Sequence, residues 1–289
     1  MINFNIQDID KIIDERLLRP LEANCKRNVK KLDKSNIKHT ESIGLLIQAF
    51  NTIKNSEKNL KQFNFVDANS LLRSSLEYIV MAYMIDVDEN VYNEFLILSN
   101  NDMRIERKYT IINSLLQDFS KKLNKFSLNM FNEITNKERK KLVIDLYDLL
   151  CKYTHASIVV SIFKEIKDKK EKEVLKILLS YNLYLVKLIL LDCLRYFTND
   201  NKSDIDEETI GYCLLLSLIK LGNIIQENNI NFDKLKNFLY YDTVNSEFYN
   251  FFEKEMENMK KDISDNISEF NSNKEVIIKG VKDFIINKK

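Results

Sequence analysis

Two stretches of this chain set charged and polar side chains into long apolar runs, and chemistry would reside there. In residues 68–85, Arg73 and Glu77 are the sole charges. They lie four apart and share one helical face, on a stripe that includes Asn69, Val80 and Met84. A helix apolar on nearly every side belongs at the centre of a fold, where a guanidinium needs carboxylate or carbonyl partners. Glu77 can supply one from within the helix, and a second partner from another helix is expected for either residue. Two readings follow. The pair is an internal ion pair that sets helix register, or Arg73 lines a pocket and meets an anion such as phosphate, which the planar guanidinium suits.

In residues 142–163, Asp145, Asp148, Lys152 and His155 are spaced three, four and three apart. On a helix they make one stripe about 80° wide. Asp148 precedes Lys152 by four, the favourable order for a helical ion pair. Beyond His155 the pattern turns almost uniformly apolar, with Tyr147 and Tyr153 on other faces. A histidine at such a boundary can serve as general acid or base near neutral pH. The alternative is a histidine hydrogen-bonded to a neighbouring helix, with Asp145, Asp148 and Lys152 solvated. The other histidine, His39, lies in a polar loop before a helix and reads as a surface residue. Lys137, Arg139, Lys140 and Lys141 read as a solvated helix start, with a nucleic-acid backbone as the other contact they could make.

Several chemistries lack their motifs. There is no Gly-rich phosphate loop, no Gly-x-Ser-x-Gly elbow, no His-Glu-x-x-His and no Glu-x-x-His pair of the di-iron kind. Cys25, Cys151, Cys193 and Cys213 form no paired spacing, and with two histidines no metal site is expected. No cofactor is expected either.

The two polar segments resemble a bacterial family of unknown function found among toxin-like and phage-defence genes. The match lies in a Leu-Leu-Arg-x-x-x-Glu helix (Leu71, Leu72, Arg73, Glu77) and a later Tyr-x-x-Leu-x-x-x-Thr-His-Ala-Ser helix (Tyr147, Leu150, Thr154, His155, Ala156, Ser157). It covers residues 40–195. That family is similar in turn to the HEPN superfamily of helical bundles, many of which are metal-independent ribonucleases. Their usual motif is an Arg followed four to six residues later by a His. The His moves a proton from the ribose 2′-hydroxyl and the Arg steadies the phosphate. Here Leu149, Leu150 and Cys151 stand at those distances before His155, and Lys152 stands three before it. By this resemblance the catalytic set would be His155, Arg73 and Glu77, supported by Lys152, Tyr153 and Asp148. The cation would come from Lys152 or, across the bundle, from Arg73.

The elements that must position these residues are helices. Gly 4 and Pro 1 in 289 residues stand against average usage of about 7% and 5%. Hairpins and Rossmann turns need residues with positive φ, usually Gly, so a sheet-rich fold would lack its turns. The apolar periodicity predicts helices over 6–32 (kinked or restarted at Pro20), 40–62 (opened by Thr40 or Ser42), 66–86, 91–118, 137–164, 170–198, 207–227 and 275–285, with a connector at 119–136. Phe248, Phe252, Met256, Met259, Ile263, Ile267 and Phe270 predict a further long amphipathic helix. Residues 174–198 could pass for a membrane span. On a helix, however, Lys176, Ser180, Tyr184, Lys187 and Arg195 fall within an arc of about 100°, so a core helix with a wide apolar face is expected.

The expectation is therefore an all-α multi-helix bundle with a HEPN-like core over 1–200 and a C-terminal helical extension over 205–289. A net charge of +1 supplies no global field for nucleic acid or anionic membrane, though a local patch is compatible with it. The start of the sequence lacks a basic region followed by an apolar run, so a cytoplasmic protein is expected. Two functions are carried forward. One is a HEPN-like toxin or phage-defence ribonuclease acting on RNA or nucleotide without metal. The other is a non-catalytic helical module that binds itself or a protein partner through residues 245–289.

Overall fold

The computed structural model describes residues 19–32, 37–100, 136–154 and 166–198, with Leu115 and Lys279. Their regular elements are all α-helices: α1 (Arg19–Lys31), α2 (Thr40–Lys61), α3 (Phe65–Val87), α4 (Glu89–Asn100), α5 (Asn136–Thr154) and α6 (Lys169–Thr198). Among the described residues there is no strand, and the fold is an all-α bundle. The expected helices over 207–227, 248–270 and 275–285, and the extension they would form, lie outside the described residues apart from Lys279. So do His155 and most of the connector.

The centre of the bundle is α3, which packs against α2, α4, α5 and α6. Its sequence dictates that position. Leu72, Leu76, Ile79, Val80, Ala82, Met84 and Ile85 are each at most 2% exposed and point in several directions around the helix. Burying each large aliphatic of this set is worth roughly 1.5–3 kcal/mol. The second heavily buried helix is α6, which carries Val174, Leu175, Leu183, Val186, Ile189, Leu190 and Leu194 into the same core. By length and composition α6 could cross a membrane, but 87% of its most apolar window is buried inside the bundle.

The loop between α2 and α3 closes without glycine. Gln62 ends α2, Phe63 takes φ 62°, and the Asn64 N–H reaches back to Asn59 O at 2.9 Å while the Phe63 N–H meets Leu60 O at 3.1 Å. This is a Schellman closure with an aromatic where glycine usually sits. The Phe63 ring packs on the core, lies edge-on to Phe65 at 6.1 Å and sits under the Lys176 ammonium at 5.4 Å. Two buried hydroxyls then tie the hairpin together. Ser42 Oγ donates to Ala82 O at 2.8 Å and Ser56 Oγ to Ala68 O at 2.7 Å. Ser42 is thus an interhelical donor and not the helix opener it resembles in sequence; Thr40 is the first helical residue. Pro20 falls in the first turn of α1, where its missing N–H removes no helical bond.

The polar arc of α6 is drawn inward. Tyr184 and Lys187 are buried, and Lys176, Ser180 and Arg195 are half-buried. Lys187 Nζ meets Glu57 Oε2 of α2 at 2.5 Å, and Lys61 Nζ meets the other oxygen, Oε1, at 2.9 Å. Burial pushes the Glu57 carboxyl up, but the two ammonium groups outweigh it and hold the carboxyl below its ordinary range. The start of α6 is capped by Asp168, whose Oδ1 accepts from the N–H groups of Lys170 at 2.8 Å and Glu171 at 3.0 Å.

Candidate functional site

Arg73 and Glu77 face α5, the expected second helix. Their side chains remain 16% and 22% exposed, with Arg73 Nε 3.4 Å from Glu77 Oε1. Arg73 Nη1 donates to Thr154 Oγ1 at 3.0 Å, and the Thr154 hydroxyl donates to Cys151 O at 3.0 Å. The Tyr147 hydroxyl donates to Glu77 Oε1 at 2.9 Å. One carboxylate oxygen thus accepts the Tyr147 hydroxyl and lies within ion-pair distance of the guanidinium, and α5 is tied to α3 at two levels. Asn69, on the same stripe of α3, is 1% exposed and donates its amide to Phe65 O at 2.8 Å. Among the described residues its Oδ1 has no hydrogen-bond donor.

The face of α5 that meets this pair is Tyr147–Cys151–Thr154, one residue out of phase with the Asp148–Lys152 stripe. Asp148 is exposed and Lys152 half-buried. Packing around the Asp148 carboxyl raises it, and the Lys152 charge four residues on offsets only part of that. Of Asp145, only its place in α5 is described. Tyr153, expected beside the site, is a core residue at 2% exposure. His155, the expected acid or base, lies outside the described residues; it follows Thr154 in the chain. His39 differs from its surface reading. Its side chain is 11% exposed, stacks on Tyr92 at 3.6 Å and approaches Glu89 Oε2 at 3.6 Å.

The electrostatics limit what the node can do. Burial pushes the Tyr147 hydroxyl well above its ordinary value, and the Glu77 charge adds to that, so Tyr147 stays a proton donor. Burial likewise raises the Cys151 thiol; the Tyr147 hydrogen bond and the Arg73 charge pull the other way without overcoming it. Cys151 is therefore no activated nucleophile. Tyr147 and Cys151, both held in their protonated forms, can bind and orient beside Arg73. Among the described residues no group of three or more His, Cys, Asp or Glu side chains could hold a metal ion.

Sequence reasoning missed Glu57–Lys187 and the node-facing role of Tyr147, Cys151 and Thr154. For the latter a signal existed: Tyr147, Cys151 and Thr154 are polar or thiol groups at steps of four and three along one face of α5. No family model, no curated protein and no solved structure matches the chain. What fold and site together define is an α-helical bundle with a half-buried Arg–Glu–Tyr–Thr node between two of its helices.

Proposed function

We propose that this protein is a HEPN-like, metal-independent ribonuclease of a toxin or phage-defence system, acting in the cytoplasm. The observation that carries the reading is the hydrogen bond from Arg73 to Thr154, the residue before His155. Arg73 of α3 is thereby bonded to the residue that precedes the histidine in the chain, although the usual Arg–His spacing is missing from the sequence. In this reading Arg73 steadies a phosphodiester and Glu77, pinned by Tyr147, orients Arg73. His155 takes the proton of the 2′-hydroxyl. The 2′-oxygen then attacks phosphorus to close a 2′,3′-cyclic phosphate, the bond to the 5′-oxygen breaks, and that oxygen leaves with a proton taken from water. The raised Tyr147 and Cys151 groups fit this division of labour, because they supply binding and orientation beside Arg73 and leave the proton transfer to His155.

A second reading draws on the same hydrogen bonds. Arg73, Glu77, Tyr147 and Thr154 also clamp α5 to α3, as they would in a non-catalytic module that binds a partner or itself through 245–289. One experiment separates the two. Purified full-length protein is incubated with single-stranded RNA in EDTA, and growth arrest on expression is scored in parallel. The ribonuclease reading expects cleavage and arrest in the wild type and loss of both, by at least a hundredfold for cleavage, in His155→Ala. Intact RNA with the wild type, or equal cleavage by His155→Ala, sinks it.

A further inference from the structure

We propose that Thr154 is a second phosphate-contacting residue of this site, working beside Arg73. The proposal rests on the phosphodiester reading above and adds a residue to it. The Thr154 hydroxyl is engaged twice, accepting from Arg73 Nη1 at 3.0 Å and donating to Cys151 O at 3.0 Å. Both bonds are of the kind that an oxyanion exchanges readily. Arg73 Nη1 now donates to a neutral oxygen, and hydrogen bonds to an ionised acceptor are roughly twice as strong. The bond to Cys151 O is a local back-bond to the carbonyl three residues earlier, and such bonds add little to a helix. A phosphate oxygen arriving at Arg73 therefore displaces the hydroxyl as acceptor and takes its O–H as a donor.

Geometry favours this exchange over a sealed structural contact. Glu77 Oε1 lies 3.4 Å from Nε in a charge contact while Thr154 hydrogen-bonds Nη1, so the carboxylate and the exchangeable hydroxyl sit beside different nitrogen atoms. Arg73 keeps 16% exposure and Thr154 is half-buried, so the pair is reachable from solvent. The carboxylate is held by Tyr147 as well, which keeps the guanidinium in place when Thr154 turns away. The ligand class is the phosphate oxyanion, and its two sources are a free phosphate and an RNA phosphodiester.

The test uses the full chain and two probes. One is a single-stranded RNA oligonucleotide carrying 2′-O-methyl groups throughout, which cannot be cut through the 2′-oxygen; its affinity is read by fluorescence anisotropy. The other is inorganic phosphate, read as the rise in Tm it causes above each variant's own baseline. Thr154→Val, which keeps shape and removes the hydroxyl, is expected to weaken oligonucleotide binding roughly tenfold or more, the range for a hydrogen bond to a charged group. Thr154→Ser is expected to stay within about threefold of wild type. Thr154→Ala repeats the first result if the valine variant folds poorly. Phosphate displaces the oligonucleotide if the two share the site, and a Tm rise with phosphate but no oligonucleotide binding would assign the site to free phosphate. If the wild type binds neither probe, the phosphodiester reading falls and this proposal with it. Should the wild type bind while Thr154→Val matches it, or Thr154→Ser fail as badly as Thr154→Val, the role of Thr154 alone is overturned.

Discussion

Replacing Lys187 by Met strands a carboxylate inside the bundle, and the cost can be worked from the contacts. The Lys187 side chain is 7% exposed and Glu57 17%. At 2.5 Å and an effective dielectric of about 20, the gross attraction is on the order of 7 kcal/mol. Desolvation of the two ions cancels most of that, so the pair contributes little beyond an apolar pair of the same size. Removing one partner is different, because the desolvation of the other remains. Lys61 still reaches Glu57, but its side chain is 65% exposed and compensates only in part. Lys187→Met is therefore expected to lose about 3 kcal/mol, and Glu57→Gln, which leaves an ammonium buried, about 3–5 kcal/mol. The double variant Glu57→Leu/Lys187→Met should recover most of this. Urea unfolding followed by far-UV circular dichroism, with the full double-mutant cycle, measures each term. The carboxyl of Glu57 is held low in the folded state. Its contribution is thus complete above the unfolded-state value of about 4.3 and disappears as pH falls through the lower folded value. The wild type should accordingly lose stability on acidification below about pH 4 more steeply than the double variant. A single variant within 1 kcal/mol of wild type, or a double variant no better than either single, would show that this ion pair does not sit in a desolvated core.

The α2–α3 turn offers a second test. Phe63 holds a left-handed backbone at a cost of about 1 kcal/mol or more relative to glycine, while its ring packs on Phe65 and Lys176. Phe63→Ala keeps the backbone cost and loses the ring, so it should be about 1 kcal/mol less stable than Phe63→Gly in urea unfolding; equal stabilities would argue against a strained turn. The buried hydroxyls that tie the same hairpin give a third. Ser42→Ala and Ser56→Ala should each cost about 1 kcal/mol and add to one another, since their sites are well separated along α2; faster amide exchange in α2 and α3 would report the same loosening.

The amino-acid sequence alone determined that this protein is helical and which helix is central. Too few glycines for sheet turns, and a stretch from 65 to 87 with apolar residues on every face, leave that helix no stable place except the middle. The intrahelical pairing of Arg73 with Glu77 was legible for the same reason, because four residues along one helix fix two side chains as neighbours. Partners beyond the helix were not. Tyr147 and Glu77 are 70 residues apart, Thr154 and Arg73 81, Lys187 and Glu57 130. Periodicity shows that a helix has faces; it does not say which face meets which neighbour. On α5 the visible charged stripe of Asp148 and Lys152 turned toward solvent or its margin, and the quieter stripe of Tyr147, Cys151 and Thr154 turned inward. Hydroxyls and a thiol can enter a packed interface with single hydrogen bonds as their demand, whereas a carboxylate needs a full countercharge. The arc of α6 makes the converse point. Its Lys187 belonged to the polar arc of the helix, and Glu57 from α2 supplies the countercharge with which it is buried. Which polar groups meet is a property of how helices dock, and docking is decided by the summed burial of the core around them, not by the residues that end up sharing a proton or a charge.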